Sequence, residues 1–132
     1  MVGWTLRLLV ALGLLGSAWV HLVVWLDWAR YTDVVGPLFL VNVGAGVVLA
    51  VAVLAWHHWL PALGAIGFGV ATLAAYVLSL TVGFFGVQEQ FRTQAELWGV
   101  ITEGACVVFG IALLAVQRGR VRDGVAREGS RA

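Results

Sequence analysis

Four long apolar runs restrict the possible folds of this chain more than any other feature of its sequence. They cover residues 8–26, 38–56, 62–85 and 97–116. A helix of about 20 residues crosses a bilayer core about 30 Å thick, so each run is long enough to span a membrane. Because lipid offers no hydrogen-bond partner, a spanning segment must satisfy its own backbone groups, as an α-helix does. The sequence therefore predicts an all-α fold, an integral membrane four-helix bundle with up-down topology.

The composition indicates that lipid is the solvent of most of the chain. Hydrophobic residues make up 61% of the 132 residues and charged residues 11%, whereas about 25% charged residues is usual in soluble domains. The runs and their short connections leave no room for a second folded domain. We expect one transmembrane domain, residues 1–117, and a tail, residues 118–132. The tail carries five arginines among glycine, serine and acidic residues without an apolar period, which predicts disorder.

The starts of three runs carry helix signals. Pro37 and Pro61 each precede an apolar run, where a missing N–H costs nothing because first-turn donors have no intrahelical partner. Residues 93–96 (TQAE) form the pattern of a capping box, in which Thr93 and Glu96 satisfy first-turn amides. These signals predict the starts of the second, third and fourth helices.

The arginines predict the orientation of the bundle. Six flank the side of the two termini, namely Arg7, Arg118, Arg120, Arg122, Arg127 and Arg131. Only Arg30 and Arg92 lie in the connections on the other side. Cytoplasmic segments carry the excess of basic residues, so we expect both termini in the cytoplasm and the connections 27–36 and 86–96 outside. The use of Arg without Lys is typical of high-GC bacterial codon usage, so the expected location is a bacterial cytoplasmic membrane crossed by several spans.

Polar residues within the runs are few and fall at similar depths. With a rise of about 1.5 Å per residue, each lies within about three turns of the outer end of its run. The polar residues of this layer are His21, Asn42, Tyr76, Ser79 and Glu103. They accompany stripes of small residues, Gly13/Ser17, Gly46/Ala50, Ala71/Ala75 and Gly99/Gly110, which are typical of the faces on which membrane helices pack. We expect these faces to point inward, and Leu9 and Val53 to face lipid.

Glu103 is the most informative member of this layer. A carboxylate at the centre of a membrane helix costs about 2.5 kcal/mol or more, so it must be paired, protonated or hydrated. His21 is the expected partner, and the pair could hold or pass one proton. The layer could instead serve only to join the helices by hydrogen bonds, worth about 0.6 kcal/mol each.

Metal, cofactor and thiol chemistry are disfavoured. One imidazole, one carboxylate and one amide do not make a usual metal set, and Cys106 has no second thiol. His57 and His58 lie at the opposite membrane edge from His21, which leaves no pair of axial haem ligands. We therefore expect neither a metal nor a cofactor.

Several segments of the chain resemble small, uncharacterised four-span integral membrane proteins of high-GC bacteria. They are His21 with Leu22, residues 36–42 (GPLFLVN), residues 76–83 (YVLSLTVG) and Glu103. The resemblance covers roughly residues 8–116. It implies the four-helix architecture and brings no activity with it.

The functional hypothesis is a non-enzymatic membrane protein that uses the outer polar layer to bind a small ligand or a protein partner, as an accessory subunit of a membrane complex for example. The alternative is a proton-coupled small-molecule transporter acting as an oligomer. A transporter is expected to show an internal repeat or interrupted helices, and the sequence shows neither. An enzyme is disfavoured because no nucleophile with its base, metal set or phosphate loop is visible.

Overall fold

The computed structural model describes residues 1–90 and 93–132. Four long helices account for most of them: α1 (Val2–Asp27), α2 (Val35–Ala55), α3 (Trp59–Thr81) and α4 (Gln94–Arg131), with a short 3-10 turn at Ala29–Tyr31. Within the described residues, all four helices are long and apolar enough to cross a membrane. The prediction of an all-α, multi-pass membrane bundle is confirmed. Arg92, one of the two arginines assigned to the outer connections, lies outside the described residues.

The helix starts follow the sequence signals. Pro37 and Pro61 lie in the first turns of α2 and α3. The capping box at the start of α4 is present, and the Thr93 amide donates to the Glu96 carboxylate. The sequence does not predict the cap of α3, where Nδ1 of His58 accepts a hydrogen bond from the amide of Leu60 at 3.2 Å.

The third helix ends earlier than the apolar run predicts, at Thr81 rather than near Phe85. Gly83 adopts a positive φ of 86°, and its amide donates to the carbonyl oxygen of Leu78 at 2.8 Å. A left-handed residue with such a bond is a common helix terminator, and glycine adopts it without a steric penalty. The chain then turns back on itself, so Phe84 and Phe85 belong to the connection rather than to the span.

The tail also differs from its expectation. Instead of being disordered, residues 118–131 continue α4 as exposed helix through Arg131. The segment contains no proline, and arginine, alanine, valine and glutamate are all compatible with a helix. Extension of an existing helix needs no new nucleation, which outweighs the cost of three scattered glycines.

The four helices form a bundle in which some neighbouring pairs pack more extensively than others. α1 packs along both α2 and α4, and α4 packs along α3, whereas α2 and α3 contact each other much less. We call the end with the α1–α2 and α3–α4 connections the loop end, and the end with both termini the tail end. The core is densest toward the tail end, around Val10, Leu14, Val53 and Leu113.

Glycines mark the closest helix contacts. A Cβ on Gly13 would lie 3.0 Å from the Thr102 carbonyl oxygen, and one on Gly69 only 2.7 Å from the Glu103 carbonyl oxygen. Gly46 and Gly110 are in similarly tight positions, so these parts of the predicted packing stripes do face neighbouring helices.

Three details of the predicted helix faces are corrected by the structure. Ala71 is exposed and Ala75 half-buried, and both line a cavity, whereas Phe68 and Gly69 form the close contact of α3. Val53, expected to face lipid, is 1% exposed in the core. Leu9 is half-buried rather than fully lipid-facing. α3 has small residues on more than one face, so its packing face cannot be chosen from small residues alone.

Arg7 has a structural role that its position near the chain start does not reveal. Its guanidinium is buried and donates from Nη1 to the carbonyl oxygens of Val53 at 2.7 Å and Trp56 at 3.4 Å. These carbonyls close the last turn of α2 and have no amide partner further along that helix. A cation at a helix C-terminus also compensates the helix dipole, so Arg7 fastens α1 to the end of α2.

Candidate functional site

A cavity of about 340 Å³ lies between the four helices at the loop end of the bundle. All four helices contribute to its wall, and the α3–α4 connection adds Phe84, Val87 and Glu89. The five side chains of the predicted polar layer all line it, namely His21, Asn42, Tyr76, Ser79 and Glu103. Similar distances from the helix ends thus bring polar groups from four helices to one space.

His21 and Glu103 form the expected pair. Nε2 of the imidazole lies 3.7 Å from Oε1 of the carboxyl group, which is within ion-pair range. Nδ1 donates to the backbone carbonyl oxygen of Ser17 at 2.9 Å, which leaves Nε2 to face the carboxyl group. Either Nε2 or the carboxyl oxygen can carry the proton between them, so the pair can exchange a single proton without rearranging the backbone.

Ser17 completes this cluster. Its hydroxyl is fully buried and donates to Oε1 of Glu103 at 3.3 Å. Ser17 thereby connects α1 to α4 and orients the carboxyl group toward the imidazole. The sequence places Ser17 on a packing stripe, and its second role depends on the crossing of two helices that sequence spacing does not reveal.

Asn42 is a buried amide that has no hydrogen-bond partner for its side chain within residues 1–90 and 93–132. Its side chain is 7% exposed, and neither Oδ1 nor Nδ2 has a hydrogen-bond partner among the described residues. The hydroxyl of Tyr76, also in the cavity wall, is likewise without a partner in the described part of the chain. An unsatisfied buried polar group costs about 1–3 kcal/mol, so these atoms need a partner that enters the cavity.

Ser79 binds the α3–α4 connection rather than the His21–Glu103 pair. Its hydroxyl lies 2.6 Å from the Tyr76 carbonyl oxygen and 2.8 Å from Oε2 of Glu89. The Glu89 amide and the Gln88 side chain both donate to the Ser79 carbonyl oxygen, each at 2.9 Å. These bonds hold the connection against the end of α3.

A tight hairpin in that connection places its side chains over the cavity. The backbones of Phe84 and Val87 are paired by two hydrogen bonds of 2.8 and 2.9 Å. Between them, Phe85 and Gly86 both have positive φ, 47° and 81°, which is the conformation of a type I′ turn. Phe84, Val87 and Glu89 line the cavity as a result. We call residues 83–89 the roof hairpin.

The roof hairpin brings a second carboxyl group, Glu89, to the cavity. Burial raises the pKa of Glu89 above its usual range, the Ser79 hydroxyl opposes this shift, and the neighbouring Glu96 carboxylate adds to it. The Ser79 hydroxyl has a single proton and two acceptors in range. The hydrogen bond from this hydroxyl to Oε2 of Glu89 favours the ionised carboxyl group and so limits the upward shift of its pKa.

The rest of the wall is apolar and partly aromatic. Phe39, Phe68 and Phe84 line it, and the ring of Phe39 lies 4.9 Å from that of His21. Val41 on α2 and Ala71 on α3 line the cavity and are also exposed on the bundle surface, Val41 to 63%. The cavity therefore reaches the surface between α2 and α3, where the two helices contact each other least.

The residues that sequence reasoning missed are Glu89 and the aromatic wall. Glu89 follows the span in an ordinary loop sequence, and only Gly83 and Gly86 signal that the chain reverses direction there. Phe39 and Phe68 are indistinguishable from other apolar residues of their runs until the helix faces are known.

The described residues hold no group of three or more His, Cys, Asp or Glu side chains suited to a metal ion. Comparisons of the chain with protein-family models, with curated proteins and with solved structures find no match.

Proposed function

We propose that this protein is a non-enzymatic membrane protein that binds a small molecule in the cavity between its four helices. The observation that carries the proposal is Asn42, a buried amide in the cavity wall with neither polar atom paired among the described residues. A ligand with polar groups would supply the missing hydrogen bonds. The volume of about 340 Å³ is within the range of small-molecule pockets, about 300–1,000 Å³.

The alternative, a polar layer that only joins helices, accounts for part of the site. Ser17 and Glu103 do join α1 to α4 by a hydrogen bond of 3.3 Å. A purely structural layer, however, should pair its buried polar atoms across helices, and Asn42 and Tyr76 lack such bonds within the described chain. Their position in the wall favours binding over structural support alone.

A second candidate function is proton-coupled transport of the same molecule. The observation that favours it is the His21–Glu103 pair, which lies at 3.7 Å in the wall of the cavity and can exchange one proton there. Transport also requires an alternate access state and, for so small a bundle, assembly of several copies. Binding is the simpler function and is the one we propose.

The orientation that we propose places the loop end on the outer side of a bacterial cytoplasmic membrane and both termini in the cytoplasm. It is supported by the arginines near the tail end, five of which lie on the extension of α4. The cavity then lies in the outer half of the membrane.

Mass spectrometry of the protein purified in mild detergent tests the proposal. We expect a small molecule to remain bound at a stoichiometry near one, and to be lost from Ala75→Phe, which fills the cavity from α3. Ala74→Phe is the matched control, because Ala74 is exposed and does not line the cavity. A bound molecule retained equally by both variants would place binding elsewhere, and a stoichiometric protein in its place would favour the accessory-subunit hypothesis.

A further inference from the structure

The charged side chains of the cavity wall indicate the chemical class of the ligand. Three carboxyl groups line the cavity, those of Glu89, Glu96 and Glu103, and the described lining residues include no arginine. Glu96 is engaged at the start of α4, where it accepts from the Thr93 amide. Glu89 and Glu103 are the two carboxyl groups that matter for a ligand in the cavity.

The described residues of the wall cannot neutralise the carboxylates of both Glu89 and Glu103. His21, 3.7 Å from Glu103, supplies at most one positive charge, and within the described residues the Glu89 carboxyl group is hydrogen-bonded to the neutral Ser79 hydroxyl. In an apolar cavity an uncompensated carboxylate is costly, so one of the two must take up a proton or meet a cation. A cationic ligand replaces that proton, whereas an anionic ligand would add repulsion.

The remaining wall groups suit an organic cation rather than a hydrated metal ion. Aromatic rings of Phe39, Phe68, Phe84 and Tyr76 surround the space, and an aromatic face attracts a cation by about 0.5–2 kcal/mol. Oδ1 of Asn42, a residue that is 7% exposed, is an acceptor without a partner in the described part of the chain. An N–H donor of the ligand would satisfy it, which a fully alkylated ammonium could not do.

We propose that the ligand is a lipophilic amine bound as its ammonium ion, with its N–H groups directed to Glu89, Glu103 and Asn42 and its apolar part against the aromatic wall. This inference rests on the proposed binding function and names its ligand class. The opening between α2 and α3 lies among apolar side chains, so an amine dissolved in the bilayer can enter from the side.

Equilibrium dialysis against the full chain in lipid nanodiscs tests the inference. Three probes of matched shape are used at pH 7: 4-phenylbutylamine, which is a cation at this pH, 4-phenylbutan-1-ol, which is neutral, and 4-phenylbutanoate, which is an anion. Empty nanodiscs of the same lipid measure the partition of each probe into the bilayer. We expect the amine to bind at least about tenfold more tightly than the alcohol, and the carboxylate to bind least.

The variants assign this preference to residues. Glu89→Gln and Glu103→Gln should each reduce the ratio of amine to alcohol affinity by about tenfold or more, because a neutral amide keeps the shape and removes the charge. Glu89→Gln lies in the roof hairpin and does not depend on the α1–α4 interface, so it remains informative if Glu103→Gln folds poorly. Ala75→Phe should abolish binding of all probes, while Ala74→Phe should not.

The outcomes separate this inference from the proposed function. An alcohol that binds as tightly as the amine, with both lost in Ala75→Phe, overturns the ammonium assignment and leaves a binding cavity. An amine preference that survives both glutamine variants also overturns the assignment. If no probe shows binding above empty nanodiscs, the amine inference fails, whereas the proposed function stands or falls with the co-purified molecule and its loss from Ala75→Phe.

Discussion

The hydroxyl of Ser79 lies 2.8 Å from the carboxyl group of Glu89, across the joint between the end of α3 and the roof hairpin. This contact fastens the connection over the cavity and places an acidic group in its wall. Because the carboxyl group is half-buried there, its proton affinity and the stability of the bundle are linked.

The stability of the protein should depend on pH through Glu89. Burial raises the pKa of this carboxyl group in the folded state. At pH values between its usual pKa and the raised pKa, the folded chain therefore binds more protons than the unfolded chain. Stability therefore falls as pH rises through that window. Thermal unfolding in detergent from pH 4 to 8 should show a decline that is smaller in Glu89→Gln than in the wild type. Parallel curves for the two proteins would contradict it.

Replacement of Glu103 should distinguish a charge from a hydrogen bond. Glu103→Gln keeps an acceptor for the Ser17 hydroxyl, so the free energy of unfolding should change little, while binding of the co-purifying molecule weakens. Glu103→Leu leaves Ser17 and His21 without this partner and should lower stability by about 1–3 kcal/mol. Unfolding and ligand retention are measured on the same preparations. Unchanged ligand retention in Glu103→Gln would leave Glu103 a structural role only.

Two glycines of α3 provide a matched test of helix packing. A Cβ on Gly69 would lie 2.7 Å from the Glu103 carbonyl oxygen, whereas one on Gly67 meets nothing within 4 Å. We expect Gly69→Ala to lower stability by about 1–3 kcal/mol, because α3 and α4 must separate. Gly67→Ala should be neutral or stabilise by up to about 1 kcal/mol, as alanine favours the helix. Equal effects in thermal unfolding would show that α3 packs through another face.

The roof hairpin contains a residue in an unfavourable backbone conformation. Phe85 has a φ of 47° in the first central position of a type I′ turn, where asparagine or glycine is preferred. Its side chain is 66% exposed, so little packing is lost on replacement. Phe85→Asn should raise the unfolding temperature, with a gain of about 1 kcal/mol. A loss of stability would mean that the Phe84–Phe85 ring contact of 4.8 Å contributes more than the strain costs.

The proposed orientation is testable by cysteine labelling in intact cells. Gln90 in the α3–α4 connection and Ser130 at the end of α4 are both exposed, and the native Cys106 is fully buried. A membrane-impermeant maleimide should label Gln90→Cys and label Ser130→Cys only after the cells are opened. Labelling of Ser130→Cys alone in intact cells would reverse the orientation.

Sequence reasoning succeeds here where the determinants are local. Spans follow from run length, the start of α4 from the capping box at Thr93 and Glu96, and the common depth of His21 and Glu103 from the rise of a helix. The roof hairpin is not predictable in this way. The position of Glu89 depends on the left-handed turn at Phe85 and Gly86 and on the hydrogen bond between Glu89 and Ser79.

The choice of helix faces likewise needs the assembled bundle. On α3 the small-residue pairs Ala71/Ala75 and Ala65/Gly69 both have the four-residue spacing of a packing stripe, and the assembled bundle buries the second, with Gly69 against α4. In the sequence, Arg7 counts only as one of the basic residues that predict membrane orientation. In the structure, its guanidinium donates hydrogen bonds to carbonyl oxygens at the end of α2.

The length of α4 has a consequence for the surroundings of the protein. Its 38 residues measure about 57 Å, nearly twice the thickness of a bilayer core, so the helix must project well beyond the headgroups at the tail end. The arginines of the extension lie on two opposite faces of the helix. The extension therefore has no single apolar face that could lie in the membrane interface, as an interfacial amphipathic helix does. The extension, residues 118–131, thus carries the C-terminus about 20 Å beyond the end of the apolar run of α4.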